Sequence, residues 1–168
     1  MMKQVGHLTL TTPGDRDIVM TREFDAPRQL VFGAMTKPEL LLRWFSGAPG
    51  WDLVVCEFDA RVGGAYRYVW RNQDGHEMGM GGICLEIDPP GRIVCTEKFD
   101  ESWYPGEAVN TMELVEHAGR TTLTLTVRYD SPEARAAVLE TPMARGVAHA
   151  YDKLAEALLS MGAPGAKL

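Results

Sequence analysis

The feature that most constrains this chain is a change of period at Trp51. From there to Tyr129 the apolar residues recur at about every second position. They fall in six short runs: Leu53–Phe58, Ala65–Arg71, His76–Ile87, Ile93–Phe99, Val109–Glu116 and Thr121–Tyr129. Turn residues separate them, at Gly63-Gly64, Asp74-Gly75, Asp88-Pro89-Pro90-Gly91, Pro105-Gly106 and Ala118-Gly119. Connections this short join antiparallel neighbours, because a parallel pair needs a crossover of about a dozen residues or more. Six runs of this kind therefore predict an antiparallel meander. The period then changes again. From Pro132 to about Met161 the pattern is helical, with Met143, Val147, Tyr151, Leu154 and Leu158 forming one apolar stripe. Thr141-Pro142 interrupts it, since proline disfavours the helical region for its predecessor. An antiparallel sheet with one apolar face must cover that face, and only this last helix is long enough.

Ahead of the meander, Ile18–Phe24 alternates and reads as an opening strand. A short helix from Pro27 to about Met35 follows, burying Leu30, Val31 and Ala34. A second starts at Thr36, with capping-box spacing from Thr36 to Glu39, and ends near Trp44-Phe45 before Gly47, Pro49 and Gly50. The fold class is thus α+β: a curved antiparallel sheet wrapped around a long C-terminal helix, with two short helices after the first strand plugging one end. At 168 residues the expectation is a single domain over 1–168, with its core at about 17–161 and a frayed tail from Ala163.

Charge and cysteine usage narrow the function classes. Lys and Arg total 17 against 23 Asp and Glu, a formal net charge of −6. That balance argues against nucleic acid as a partner, because phosphate binding needs a basic patch. No apolar run approaches the roughly 18 residues of a membrane span, and Met1–Thr12 lacks the apolar core of a secretion signal. Cys56, Cys84 and Cys95 are an odd set that fits reduced thiols in the cytoplasm better than a disulfide framework. His7, His76, His117 and His149 do not cluster at metal-ligand spacings, so no metal or cofactor is expected.

Pairing arithmetic sorts the sheet's two faces. Across the Asn72–Gly75 turn, Tyr66, Tyr68 and Trp70 are expected to share a face with Gly79, Gly81, Ile83, Leu85 and Ile87. Met78 and Met80 then fall on the outer surface. The Asp88–Arg92 turn carries the inner face to Ile93, Cys95, Glu97 and Phe99, which places Cys84 and Cys95 on opposite faces, reduced and unlinked. The last hairpin joins Asn110, Met112 and Leu114 to Leu123, Leu125 and Val127, with Thr122, Thr124 and Thr126 outside. A mostly apolar inner face thus holds two polar residues, Glu97 and Asn110. One reading puts them at a wet rim or shifts them by a bulge near Gly81-Gly82; the other makes them the convergent polar groups that orient a ligand.

Catalytic motifs fail. Gly79-Met80-Gly81-Gly82 lacks the helix and lysine of a phosphate loop, and no Gly-x-Ser-x-Gly elbow is present. Ser46, Ser102, Ser131 and Ser160 have no recognisable base partner. Glu57 and Glu97 pair as acid and base only if both point inward, and the parity of Glu57 is open.

The chain resembles the START-like helix-grip superfamily, and within it the branch named after the activator of the ninety-kilodalton heat-shock chaperone's ATPase. The resemblance runs from Ile18 to Leu159 and rests on Phe24-Asp25-Ala26-Pro27, Glu39-Leu40-Leu41 leading into Trp44-Phe45, and Val62-Gly63-Gly64. Glu86-Ile87-Asp88-Pro89-Pro90, Trp103-Tyr104-Pro105-Gly106, and Gly146 with Tyr151, Leu154 and Leu158 complete it. One departure is Val147, where some members carry a large aromatic. The resemblance implies a fold and a cavity rather than one chemistry. The chaperone activator also carries a domain ahead of this one, and at 168 residues no such domain is expected here.

The expectation is a protein that binds a small, largely apolar molecule between sheet and helix, with no catalytic residues assigned. Its binding residues are expected to be Trp44, Phe45, Tyr66, Tyr68, Trp70, Ile83, Leu85, Glu97, Phe99, Asn110, Met112, Met143, Val147 and Tyr151. Two alternatives stay open: a polyketide-cyclase-like enzyme, and a protein-interaction or chaperone-cofactor module. The expected partner is the apolar ligand, not nucleic acid or membrane, with a homodimer as an open option.

Overall fold

In the computed structural model, residues 2–46 and 49–162 are described. The expected helix break at Gly47 and the expected frayed tail from Ala163 lie outside them. Nine strands form one antiparallel sheet in the order β1-β2-β3-β9-β8-β7-β6-β5-β4. The expected opening strand is β3 (Asp17–Phe24), and two strands precede it, β1 (Met2–Val5) and β2 (Leu8–Thr11). They make a hairpin around Gly6, whose φ of 60° lies in the left-handed region that favours glycine. Both are only four residues long, too short for a period to show. The meander follows as β4 (Trp51–Phe58), β5 (Ala65–Asn72), β6 (Glu77–Asp88), β7 (Arg92–Phe99), β8 (Ala108–His117) and β9 (Arg120–Arg128). The sheet stays open. β9 returns beside β3, leaving β1 and β4 as edges.

Between β3 and β4 lie the two short helices, α1 (Arg28–Thr36) and α2 (Pro38–Leu41). No side chain caps α1 from its own N-cap. Instead the carboxylate of Glu116, at the end of β8, accepts the Arg28 N–H at 2.8 Å. This satisfies one of the donors that every helix start leaves open. The expected capping box does not form: Thr36 lies in the last turn of α1, and its hydroxyl donates to the Phe32 carbonyl at 2.8 Å. Lys37 is the N-cap of α2, and Pro38 fills that helix's first position.

The C-terminal helical pattern divides where Thr141-Pro142 predicts, into α3 (Pro132–Leu139) and α4 (Met143–Met161). Ser131 caps α3 by accepting the Ala134 N–H at 3.1 Å. Thr141 stitches the joint, donating to Val138 O at 2.6 Å and accepting from Met143 N at 3.3 Å. Along α4 the apolar stripe changes character. Tyr151, Leu154, Leu158 and Met161 are buried, whereas Met143 and Val147 are half-buried. The second half of the helix packs on the core, and the first half stands off the sheet. No described helix is long and apolar enough to cross a membrane.

Two register findings correct the sequence reading. Tyr66, Tyr68 and Trp70 pair with Gly82, Met80 and Met78, one residue out of step with the expected partners. Met78 and Met80 therefore lie on the inner face, while Ile83 and Leu85 are exposed outside. The register then shifts by one between Cys84 and Glu86, which brings Ile87 opposite Ile93 as expected. Because that shift comes after Cys84, Cys84 pairs directly with Cys95 on the same face rather than facing away from it.

Candidate functional site

Where the first half of α4 stands off the sheet, a pocket of about 450 Å³ opens between them. At its closed end the residues after α2 are fastened to their surroundings through two indoles. Trp44 donates to Ala34 O in α1 and Trp70 donates to Phe45 O, both at 2.9 Å. These bonds satisfy the polar end of each ring and leave its apolar body free to pack. Phe45 then meets Tyr68 and Trp70 edge-on, with ring centroids 5.1 Å apart in each case. Trp44 is fully buried, so it serves the core and the pocket wall at once. Tyr66 stacks on Phe58 and donates its hydroxyl to Thr96 O at 2.6 Å. That bond uses its proton within the sheet.

The polar residues gather at another part of the wall. Glu97 on β7 and Asn110 on β8 are diagonal neighbours on the inner face, since Cys95 pairs with Asn110 and Glu97 with Ala108. Glu97 is half-buried because the surface it keeps faces the pocket it lines. Burial pushes its carboxyl up to about 7, and the neighbouring Asn110 side chain offsets part of that rise. Beside them Tyr104, from the β7–β8 connection, and Tyr129, just after β9, meet edge-on at 5.1 Å. Burial raises both phenols, and the nearby Glu97 carboxylate raises them further. Two buried atoms here have no hydrogen-bond partner, the Tyr104 hydroxyl and Asn110 Oδ1. Tyr104 is only 4% exposed.

The wall brings together Trp44, Phe45, Tyr66, Tyr68, Trp70, Glu97, Phe99, Asn110, Met112, Met143, Val147 and Tyr151. It does not include Ile83 and Leu85, which the register places outside. Sequence reasoning missed Met78 and Met80, which a correct hairpin count would have found. It placed Cys95, Leu125 and Val127 on the inner face without assigning them to the site. Tyr104 carried no periodic signal at all, because it sits in a turn. Glu57 is exposed on the outer face opposite Arg67, so it makes no acid–base pair with Glu97. Among the described residues no three metal-ligating side chains cluster.

A second recess, of about 640 Å³, lies between β2, β3, β9 and the end of α4. Its wall is about half apolar, and its arginines are already engaged: Arg22 pairs with Asp152 at 2.6 Å and Arg120 with Glu23 at 3.6 Å. The chemistry of interest is in the first pocket.

A curled antiparallel sheet closed on a long C-terminal helix, with two short helices at its end, is the helix-grip fold. The chain belongs to the family described as activator of Hsp90 ATPase homolog 1-like protein, which matches it over residues 25–159. A protein of Rhodobacter sphaeroides, known from a crystal structure, is 31% identical, with a TM-score of 0.86 over 91% of this chain and 98% of that one. Two further crystal structures share the fold at lower identity. A Mycobacterium smegmatis protein is 23% identical, with a TM-score of 0.79 over 94% of this chain and 97% of its own. The AHSA1 protein of Silicibacter pomeroyi is 22% identical, with a TM-score of 0.68 over 85% and 97%. No curated protein is similar enough to count as a match.

Proposed function

We propose that this protein binds a small, largely apolar molecule in the pocket between the sheet and the first half of α4. The observation that carries the reading is the composition of the wall. Aromatic and methionine side chains surround one carboxyl and one carboxamide, the pattern by which an apolar site orients its ligand. The volume suits a molecule of one to three rings, since sites for small molecules run from about 300 to 1,000 Å³. Met20, Met35, Met78, Met80, Met112 and Met143 all contribute to the wall. Flexible thioethers let such a surface adapt to a ligand's shape. Met78 and Met80, expected on the outer surface where an interaction module could use them, line the pocket instead, which supports the pocket reading.

The test uses an uncharged dye, N-phenyl-1-naphthylamine, whose fluorescence rises on entering an apolar site. The protein is expected to bind it with saturable enhancement. Val147→Trp puts an indole into the pocket from α4 and is expected to weaken binding at least about tenfold, with circular dichroism and Tm unchanged. A dye that binds the variant as well as the parent, or binds neither, overturns the reading.

A further inference from the structure

The polar end of the pocket is one-sided in charge. Glu97 is the only carboxyl in the wall, and no lysine, arginine or histidine lines it among the described residues. Asn110 lies diagonally beside Glu97 on the inner face, and its Oδ1 is buried with no donor. The Tyr104 hydroxyl is likewise buried and unpartnered. A ligand carboxylate would place a second negative charge beside Glu97, with no cation in the wall to offset it. A hydroxyl brings one donor. A protonated amine brings three donors and no acceptor, so it can serve Glu97 and Asn110 Oδ1 together.

Resting on the reading of the pocket as a ligand site, we infer that its ligand is an organic cation. It would be an amine with an apolar, aromatic-sized body, its ammonium seated between Glu97 and Asn110 Oδ1. The titratable groups facing Glu97 are Tyr66 from β5, Tyr104 from the β7–β8 connection and Tyr129 after β9; Tyr68, Cys95 and Tyr151 complete those in the wall. Burial holds all of these phenols and the Cys95 thiol neutral near pH 7. Glu97 is thus the group whose charge changes, from mostly protonated at pH 6 to mostly ionised at pH 8.

Three probes on one body separate the possibilities by calorimetry: 2-(1-naphthyl)ethylamine, 2-(1-naphthyl)ethanol and 1-naphthylacetate. At pH 8 the amine is expected to bind about tenfold tighter than the alcohol, and the carboxylate about tenfold weaker than the alcohol. From pH 6 to pH 8 the amine should tighten about fivefold as Glu97 ionises, the amine itself staying protonated. Glu97→Gln should bring the amine down to the alcohol's affinity and flatten its pH profile, leaving the alcohol within about threefold. Asn110→Leu, a second variant, should weaken the amine more than the alcohol. If the alcohol binds and the amine does no better, or if the amine's advantage survives in Glu97→Gln, the cation assignment falls while the pocket reading stands. If none of the three binds and the uncharged dye also fails, both fall.

Discussion

Cys84 and Cys95 face each other directly across β6 and β7, their sulfurs 3.2 Å apart inside the sheet's curve. Burial and the neighbouring Cys84 thiol both push the Cys95 thiol well above its ordinary range. Proximity alone does not make such a pair reactive. The attacking species in alkylation and disulfide exchange is the thiolate, which this environment suppresses at Cys95, while burial shields Cys84 from reagent.

The pair should therefore be slow toward iodoacetamide in the native protein at pH 8, by about a hundredfold or more against the same residues in urea. Cys56 is half-buried, with its thiol pushed up to about 11 by burial and the neighbouring Glu57, and it should label first. Peptide mapping after timed alkylation distinguishes the three sites. Labelling of Cys84 or Cys95 in native protein at the unfolded rate would contradict the register that buries them.

That register also shows what was legible in the sequence and what was not. At the last hairpin His117 pairs with Arg120 around Ala118 and Gly119, at φ of 52° and 77°. A two-residue turn of this kind fixes parity, so the inner face of β8 and β9 followed from counting. The β5–β6 turn is longer. Asn72 closes it by accepting from the backbone N–H groups of Asp74 and His76, and the ladder begins with Arg71 opposite Glu77. One residue of difference moved Met78 and Met80 inside and Ile83 and Leu85 outside. The bulge after Cys84 then restored the expected phase, which is why Ile87, Ile93 and Glu97 fell where counting put them. Tyr104 was illegible for another reason: its burial depends on packing against Tyr129, far along the chain, and not on any local period.

On the other side of the sheet's curve, Arg22 is an inward-facing cation on β3, only 8% exposed, paired with the half-exposed Asp152 of α4. Its guanidinium also sits 5.3 Å from the Phe24 ring centroid. Removing Asp152 leaves that charge without its partner, whereas replacing both residues removes the need for one. Asp152→Ala should lower unfolding stability by about 2 kcal/mol, less than for a fully buried pair because Asp152 keeps solvent. Adding Arg22→Met should recover most of this loss. Urea unfolding of the parent, both single variants and the double variant measures it; a strictly additive cycle would show the pair to be uncoupled.

Glu97 should leave its mark on stability as a function of pH. Its ordinary value is 4.5 and its folded value about 7, so between those limits the folded protein holds a proton that the unfolded chain has released. Stability from this group is therefore greatest below about pH 4.5, falls through the interval, and levels off above about pH 7. The full shift corresponds to about 3 kcal/mol, an upper bound because the carboxyl keeps some surface toward the pocket. Asp17 and Asp100 act in the opposite sense: hydrogen bonds from Arg128 and Arg67 hold them below the usual range, so their contribution is lost only in stronger acid. Subtracting the Glu97→Gln profile from that of the parent removes those shared terms. At pH 8 Glu97→Gln should be the more stable protein by about 1–3 kcal/mol, and at pH 4.5 the two should agree within about 0.5 kcal/mol. A difference profile that is flat from pH 4.5 to 8, measured by urea unfolding, would mean that the Glu97 carboxyl is as well solvated folded as unfolded.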